Sequence, residues 1–249
     1  LEKAGTPTMG GFMILAGLSF SLYHQALLGH PRVFLRDHEL RWYLGILFAA
    51  TLVIAVDSAG FFESGWTALE HAFFHVASVM TTTGFAVDDF DRYPALSKIL
   101  LVTLMFVGGS AGSTAGGLKV IRLIILIKQG HRGLYRLIRS HVVMPVRIGR
   151  QVIPEEAVAE TTGFFFLYMA IFVLGTLYVA AHGMDMATSM SSVAATLGNI
   201  GPGISVVGPY GHYGSLPADV KVVLSLFMCL GRLELYTVLS LALPVFWRR

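Results

Sequence analysis

The run GGSAGSTAGG, residues 108–117, interrupts a stretch that is otherwise apolar from residue 95 to residue 127. Just upstream, residues 67–80 read as a helix too short to cross a bilayer and too apolar to lie free in water, and it ends in TTTGF, residues 81–85. Together these predict a short helix descending into a membrane, an extended loop at membrane depth, and a helix broken part-way across. In lipid, non-helical backbone persists at such depth only where protein buries it or it lines a watery path. The two features point to a permeation pathway.

Thr81, Thr82 and Thr83 supply hydroxyls, and Gly84, followed by Phe85, supplies a backbone free to adopt positive φ or to approach another backbone closely. Carbonyls and hydroxyls set in a ring replace the hydration shell of an alkali cation, as in selectivity filters. Taken alone, the element fits a threonine-rich turn ending a buried helix equally well.

With 55% hydrophobic and 13% charged residues, the 249-residue chain is too apolar for an ordinary soluble domain and is expected to be a membrane protein. The net charge of +3 is not a nucleic-acid signature, because the basic residues cluster between apolar segments with no aromatics interleaved. They read as topology signals. Cys229 is the one cysteine, which excludes an internal disulfide framework and leaves it a packing residue. The opening LEKAGTPTMGG has no basic n-region and no small-residue cleavage site, so no signal peptide is expected, and the chain reads as cut from something longer.

Residues 10–28 are just long enough to span a hydrocarbon core of roughly 30 Å at about 1.5 Å per residue. Arg32, Arg36 and Arg41 place the following loop in the cytoplasm. Residues 42–62 then run outward past Asp57, which either attracts cations or is solvated or paired at the helix end. Thr67 and Glu70 have capping-box spacing for the short helix. Beyond the TTTGF loop, Asp88, Asp89 and Asp91 either concentrate cations at a mouth or form a solvated acidic loop. Lys128, Arg132, Arg136, Arg139, Arg147 and Arg150 mark a second cytoplasmic loop.

Residues 161–181 run outward again, Asp185 caps a short helix over 186–197, and GNIGPG follows at 198–203. After Pro217 a final span, 220–246, carries Gly231, Arg232 and Glu234 and ends inside at Arg248 and Arg249. A guanidinium midway along an apolar helix costs at least ~2.5 kcal/mol on insertion scales and must find carboxylate, carbonyls or water. Glu234 is two positions from Arg232 and faces away on an ideal helix, which leaves the carbonyls of the 108–117 break as the expected partners. The glycine-rich run is not a phosphate loop: Leu118 separates Gly117 from Lys119, so GxxxxGK[ST] fails, and there is no GxGxxG register.

Outward span, short capped helix, glycine-bearing loop and interrupted returning span thus occur twice, over 42–128 and 161–249. Gly84 lies seventeen positions after Thr67 and Gly201 sixteen after Asp185, which aligns the two loops. The opening AGTPTMGG resembles AGSTAGG at 111–117, so the chain is expected to begin inside the last helix of an earlier copy. The expected fold is an all-α integral membrane protein of repeated membrane-pore-membrane units. Residues 1–40 hold the end of one repeat and a cytoplasmic loop, 41–150 a complete repeat with its loop, and 151–249 another repeat.

TTTGF, GGSAGSTAGGLK, NIGPG and GRLE together resemble the Trk/Ktr/HKT superfamily of potassium uptake proteins, specifically the bacterial Trk-type membrane subunit, over nearly the whole chain. The resemblance implies four repeats around one potassium-channel-like pore in the bacterial cytoplasmic membrane, with the third and fourth repeats here. It implies a filter at Thr81, Thr82, Thr83, Gly84 and Phe85 and at Asn199, Ile200, Gly201 and Pro202. The transported potassium ion would sit at Thr82, Thr83, Gly84, Asn199, Ile200 and Gly201. Gly108, Gly109, Gly112, Gly116 and Gly117 would form an intramembrane gating loop, with Arg232 a positive charge beside it. Implied partners are the N-terminal repeats of the same protein, a second copy in a homodimer, a cytosolic nucleotide-binding regulatory subunit and membrane lipid. No cofactor, enzymatic activity or nucleic acid is expected. With two of four filter walls outside the chain, these residues alone are not expected to complete the pore, and NIGPG opposite TTTGF makes the filter asymmetric.

Two rivals come from other classes. Glu70, His71 and His75 prompt an intramembrane metalloenzyme, since histidines four apart share a helix face, but the order is not HExxH and no third ligand stands at recognisable spacing. A secondary transporter shares broken helices and internal repeats. It has no need of a threonine-glycine filter after a short helix.

Overall fold

Apolar runs set the helices of this chain, and glycine, proline and capping side chains set their ends. The computed structural model describes residues 6–30, 33–139, 144–149, 151–233, 235–242 and 247. Over these the chain forms α1 (Thr6–Ala16), α2 (Phe20–Leu27), α3 (Val33–Arg36), α4 (His38–Asp57), α5 (Gly65–Met80), α6 (Ala95–Met105) and α7 (Val120–Ile138). A hairpin of two antiparallel strands, β1 (Arg147–Ile148) and β2 (Gln151–Val152), leads to α8 (Glu155–Ala181), α9 (Met186–Gly198), α10 (Ala218–Arg232) and α11 (Leu235–Ala242).

Among the described residues, α4 and α8, of 20 and 27 residues, are the helices long and apolar enough to cross a membrane. At the helical rise they reach about 30 and about 40 Å. Phe48, Leu52 and Val56 on α4, and Phe166, Leu174 and Leu177 on α8, stand exposed, giving an apolar surface suited to hydrocarbon. The 16-residue α5 and 13-residue α9 are too short to cross. Each is enclosed instead, α5 by α1 and α4, α9 by α8 and α10. The small residues of α9 let its neighbours close in, and its hydroxyls are satisfied locally: Thr196 donates to the Ser192 carbonyl, and Ser191 donates to the Ile204 carbonyl while accepting the Ile204 N–H.

The two expected passes are present, α4–α5–α6/α7 and α8–α9–α10/α11. Their cores interlock, because Ala194, Ala195 and Ile200 of the second pass are buried in the cluster that holds Tyr43, Met80 and Leu101 of the first. Several boundaries differ from expectation. The short helix of the first pass starts at Gly65, with the Ser64 side chain accepting the Thr67 N–H at 3.2 Å. Thr67 is therefore inside the helix, and Glu70 accepts from the Trp66 indole rather than closing a capping box. Asp185 caps α9 as expected, accepting the Thr188 N–H at 3.1 Å.

The expected single span over 10–28 is broken at Gly17–Ser19. The part of AGTPTMGG that is described, from Thr6 on, is helical. Gly10 there serves packing, since a Cβ would meet the Phe73 ring at 2.9 Å, and Gly17 faces the Tyr43 hydroxyl. Ala4, Arg32, Arg150, Glu234, Arg248 and Arg249 lie outside the described residues.

Candidate ion pathway

Helices α5 and α9 end in the same way. Thr82 and Asn199 take left-handed φ values of 54° and 56°, uncommon for residues other than glycine. The next N–H reaches back five residues, Thr83 to the Ser78 carbonyl and Ile200 to the Ala195 carbonyl, both at 2.9 Å. The left-handed residues themselves donate to Val79 and Thr196. This pair of bonds is the Schellman termination. Two residues further on, Gly84 and Gly201 have positive φ, 77° and 115°. The equivalence of the two glycines thus rests on backbone geometry, while the spacing from Thr67 did not begin at a true cap. Both helices direct their C-terminal ends, with partial negative charge, at these loops, an arrangement that favours cations.

The loops touch. A Cβ on Gly84 would collide with the Ile200 carbonyl oxygen, so only glycine permits this approach. Gly84, Phe85, Gly201 and Pro202 face a cavity of 660 Å³ that also reaches Thr196 and Tyr213. The other expected filter residues, Thr81, Thr82, Thr83, Asn199 and Ile200, do not line it. The Thr81 hydroxyl donates to the Ala77 carbonyl and meets Thr83 at 2.8 Å, Ile200 is buried in the core, and Asn199 donates to the Met228 carbonyl at 3.0 Å. Two carbonyls are already engaged: Phe85 accepts from Ser78 at 2.6 Å and Gly201 from Tyr213 at 2.7 Å.

Residues 107–118 form a loop whose ends pair in parallel, Gly108 N–H donating to Leu118 and Leu118 N–H to Phe106. Its backbone is tied on every side. Ser110 N–H donates to Gly17, Gly112 accepts from Phe20, Gly116 N–H donates to the Thr82 hydroxyl at 2.9 Å, and Ala111 N–H donates to Glu39 at 2.7 Å. Gly108 and Gly116 pack backbone on backbone, Gly109 packs against Gly17, and Gly112 and Gly117 have positive φ. Part of the loop lines a second cavity of 280 Å³ with Lys119, Arg122, Tyr168 and Arg232. Gly116 belongs to that lining, donates to Thr82 and packs on the Gly198 carbonyl, so the loop lies against the ends of both α5 and α9.

Arg232 is the last residue of α10, at the break rather than inside a continuous helix, and its Nη1 donates to the Thr114 carbonyl at 2.7 Å. The expected partner class, a carbonyl of the glycine-rich run, is the observed one. Asp57 is paired, accepting from the Ser97 N–H and hydroxyl at 3.0 and 2.6 Å, which caps the start of α6. Asp88 is held by His71 Nδ1 at 2.6 Å, His75 Nε2 at 2.5 Å and the Tyr93 hydroxyl. Burial pushes the Asp88 carboxyl up, but the hydrogen bonds and charges of His75 and then His71 outweigh it and hold it at about 2. Asp89 bonds the Asp91 N–H and pairs with Arg92, while Asp91 lies near Lys98. No metal-ligand cluster is found among the described residues. Arg132, grouped by sequence with the surface cations, is instead buried, both its terminal nitrogens on the Glu155 carboxylate.

Glu39, Ser78 and Tyr213 were not singled out by sequence, since each acts on backbone far away in the chain or across a turn with no motif of its own.

The TrkH family model, described as a cation transport protein, matches residues 8–247. The Trk system potassium uptake protein TrkH of Halomonas elongata is 40% identical over 245 residues, covering 96% of this chain and 49% of its own. The protein of that name from Escherichia coli K12 is 38% identical over 242 residues, covering 95% and 49%. The crystal structure of the potassium transporter TrkH from Vibrio parahaemolyticus superposes with a TM-score of 0.90 at 35% identity, covering 98% of this chain and 53% of that one. The chain spans about half the length of the curated relatives it matches. With helical architecture, paired re-entrant helices and family match in agreement, this membrane protein belongs to the TrkH family of cation transport proteins.

Proposed function

We propose that these residues form two of the walls of a potassium uptake pathway across the bacterial cytoplasmic membrane. The observation that carries this is the contact of Gly84 with Ile200 after two matching helix ends, with the 107–118 loop bonded to Thr82 and packed on Gly198. Potassium is the cargo, passing Thr82, Thr83, Gly84, Asn199, Ile200 and Gly201, and the loop with Arg232 is the barrier. The chain binds and passes an ion and performs no covalent chemistry. The other walls come from the remaining half of a relative-length polypeptide, and the assembly works as a homodimer on a cytosolic nucleotide-binding subunit, within membrane lipid.

Cation flux in proteoliposomes tests this, using the full-length polypeptide that carries this sequence and a potassium, rubidium, sodium and lithium series. Potassium and rubidium are expected to pass and lithium to lag. Flux that does not distinguish the four ions, or no flux from folded protein, would overturn the assignment.

A further inference from the structure

Glu39 stands in the first turn of α4, seventy-two residues from the nearest part of the loop it touches. One carboxylate oxygen, Oε1, accepts the Ala111 N–H at 2.7 Å and the Ile121 N–H at 3.2 Å. Ile121 lies in the first turn of α7, whose leading N–H groups have no partner within the helix. The Lys119 side chain, just before α7, carries donors only and so cannot cap these N–H groups. The missing acceptor therefore comes from another helix, and its negative charge sits at the positive end of α7. The same oxygen fixes the loop at Ala111, so the loop and the resumption of the helix after it share one anchor.

We propose that Glu39 is a positioning residue that latches the 107–118 loop in its obstructing conformation. The proposal deepens the pathway assignment above and rests on the loop being its barrier. Release of this latch frees Ala111 and unties the start of α7 together, which lets the loop leave the path without unfolding the flanking helices.

The test uses the full-length chain made cysteine-free, including Cys229→Ser because Cys229 is exposed. A single thiol is then introduced by Ser113→Cys, in the lining of the second cavity. Labelling by a hydrophilic maleimide and rubidium flux are read in parallel. Glu39→Ala removes two hydrogen bonds, each worth about fivefold, and is expected to raise the labelling rate at least about fivefold and to raise flux. Glu39→Gln keeps an acceptor oxygen at the same reach and is expected to restore both, while Glu39→Asp, one methylene shorter, behaves as Glu39→Ala. Folded Glu39→Ala or Glu39→Asp protein labelled at the wild-type rate would overturn the latch. Faster labelling with unchanged flux would keep the latch and remove the barrier role of the loop.

Discussion

The Thr82 hydroxyl accepts the Gly116 N–H at 2.9 Å, joining the end of the first re-entrant helix to the loop beneath it. Thr82 does so from a left-handed backbone conformation, φ 54°, that β-branched residues rarely adopt. Strain of this kind costs about 1–3 kcal/mol and persists where surrounding structure holds it. Here the bond to Gly116 and the Schellman turn supply that support. Asn199 solves the same turn in the second pass with a side chain better suited to left-handed backbone.

Thr82→Asn is accordingly expected to preserve the fold, because asparagine relieves the backbone and retains an acceptor oxygen. Thr82→Val keeps the strain and leaves the Gly116 N–H without a partner, a loss of about 1–3 kcal/mol. Thermal unfolding of the two variants in detergent distinguishes them. Equal melting temperatures would show that the hydroxyl carries no weight.

Gly84 and Gly201 are equivalent in backbone but not in surroundings. A Cβ at Gly84 strikes the Ile200 carbonyl, whereas a Cβ at Gly201 meets nothing within 4 Å. Gly84→Ser is therefore expected to lower the yield of folded protein, and a selectivity change cannot be read from it cleanly. Gly201→Ala bears only the cost of its φ of 115°, about 1–3 kcal/mol, and is expected to fold with an altered ratio of potassium to sodium flux. Wild-type ion ranking in folded Gly201→Ala would argue that this glycine is only a turn residue.

Local signals were legible in the chain and distant partners were not. Asp185 announces α9 because a cap acts within its own first turn. Ser64 was hidden by the glycine after it, and Thr67 offered a hydroxyl at a spacing that fits the same motif. The break at Gly17–Ser19 lies in an apolar run whose glycines also pack helices, so composition could not separate the two uses. Asp57 to Ser97, Arg132 to Glu155 and Glu39 to Ala111 are tertiary bonds over many residues, and no residue pattern near either partner encodes them. The loop–Arg232 contact was foreseeable because a charge among apolar residues must find a polar partner.

Asp88 gives the segment between α5 and α6 an acid-sensitive element. Its folded-state carboxyl, at about 2, lies below the ordinary value of about 3.9. The stabilisation is therefore fully present above the ordinary value and is lost as pH falls through about 2. Asp88→Asn is expected to lower the melting temperature at neutral pH and to flatten its decline between about pH 4 and about pH 2. A melting profile superimposable on that of the unsubstituted protein across that window would refute the clamp by His71 and His75.

The cations of the segment from α7 to α8, expected to face the cytoplasm, divide by burial. Arg136 and Arg139 are exposed at the end of α7, whereas Arg132 joins α7 to the start of α8 through Glu155. Arg132→Ala is expected to lower thermal stability, and the Arg136→Ala, Arg139→Ala pair to leave it unchanged. Loss of a cytosolic partner in the Arg132→Ala variant would thus report altered folding, so the exposed pair is the proper probe of docking. Destabilisation by the exposed pair equal to that of Arg132→Ala would contradict this division.

Arg232 meets the loop at the Thr114 carbonyl, which makes it either a charge in the path of cations or a tie between two broken helices. The side chain is exposed and lines the second cavity, where a guanidinium would raise the energy of any cation that entered. Arg232→Gln separates the two roles, since glutamine can still donate to Thr114 but carries no charge. If the charge forms the barrier, Arg232→Ala and Arg232→Gln both conduct faster than the unsubstituted protein while remaining folded. If the tie matters, Arg232→Ala is lost from the membrane and Arg232→Gln is normal in both amount and flux. Well-folded Arg232→Ala with unchanged or slower flux would remove Arg232 from the barrier and leave obstruction to the loop alone.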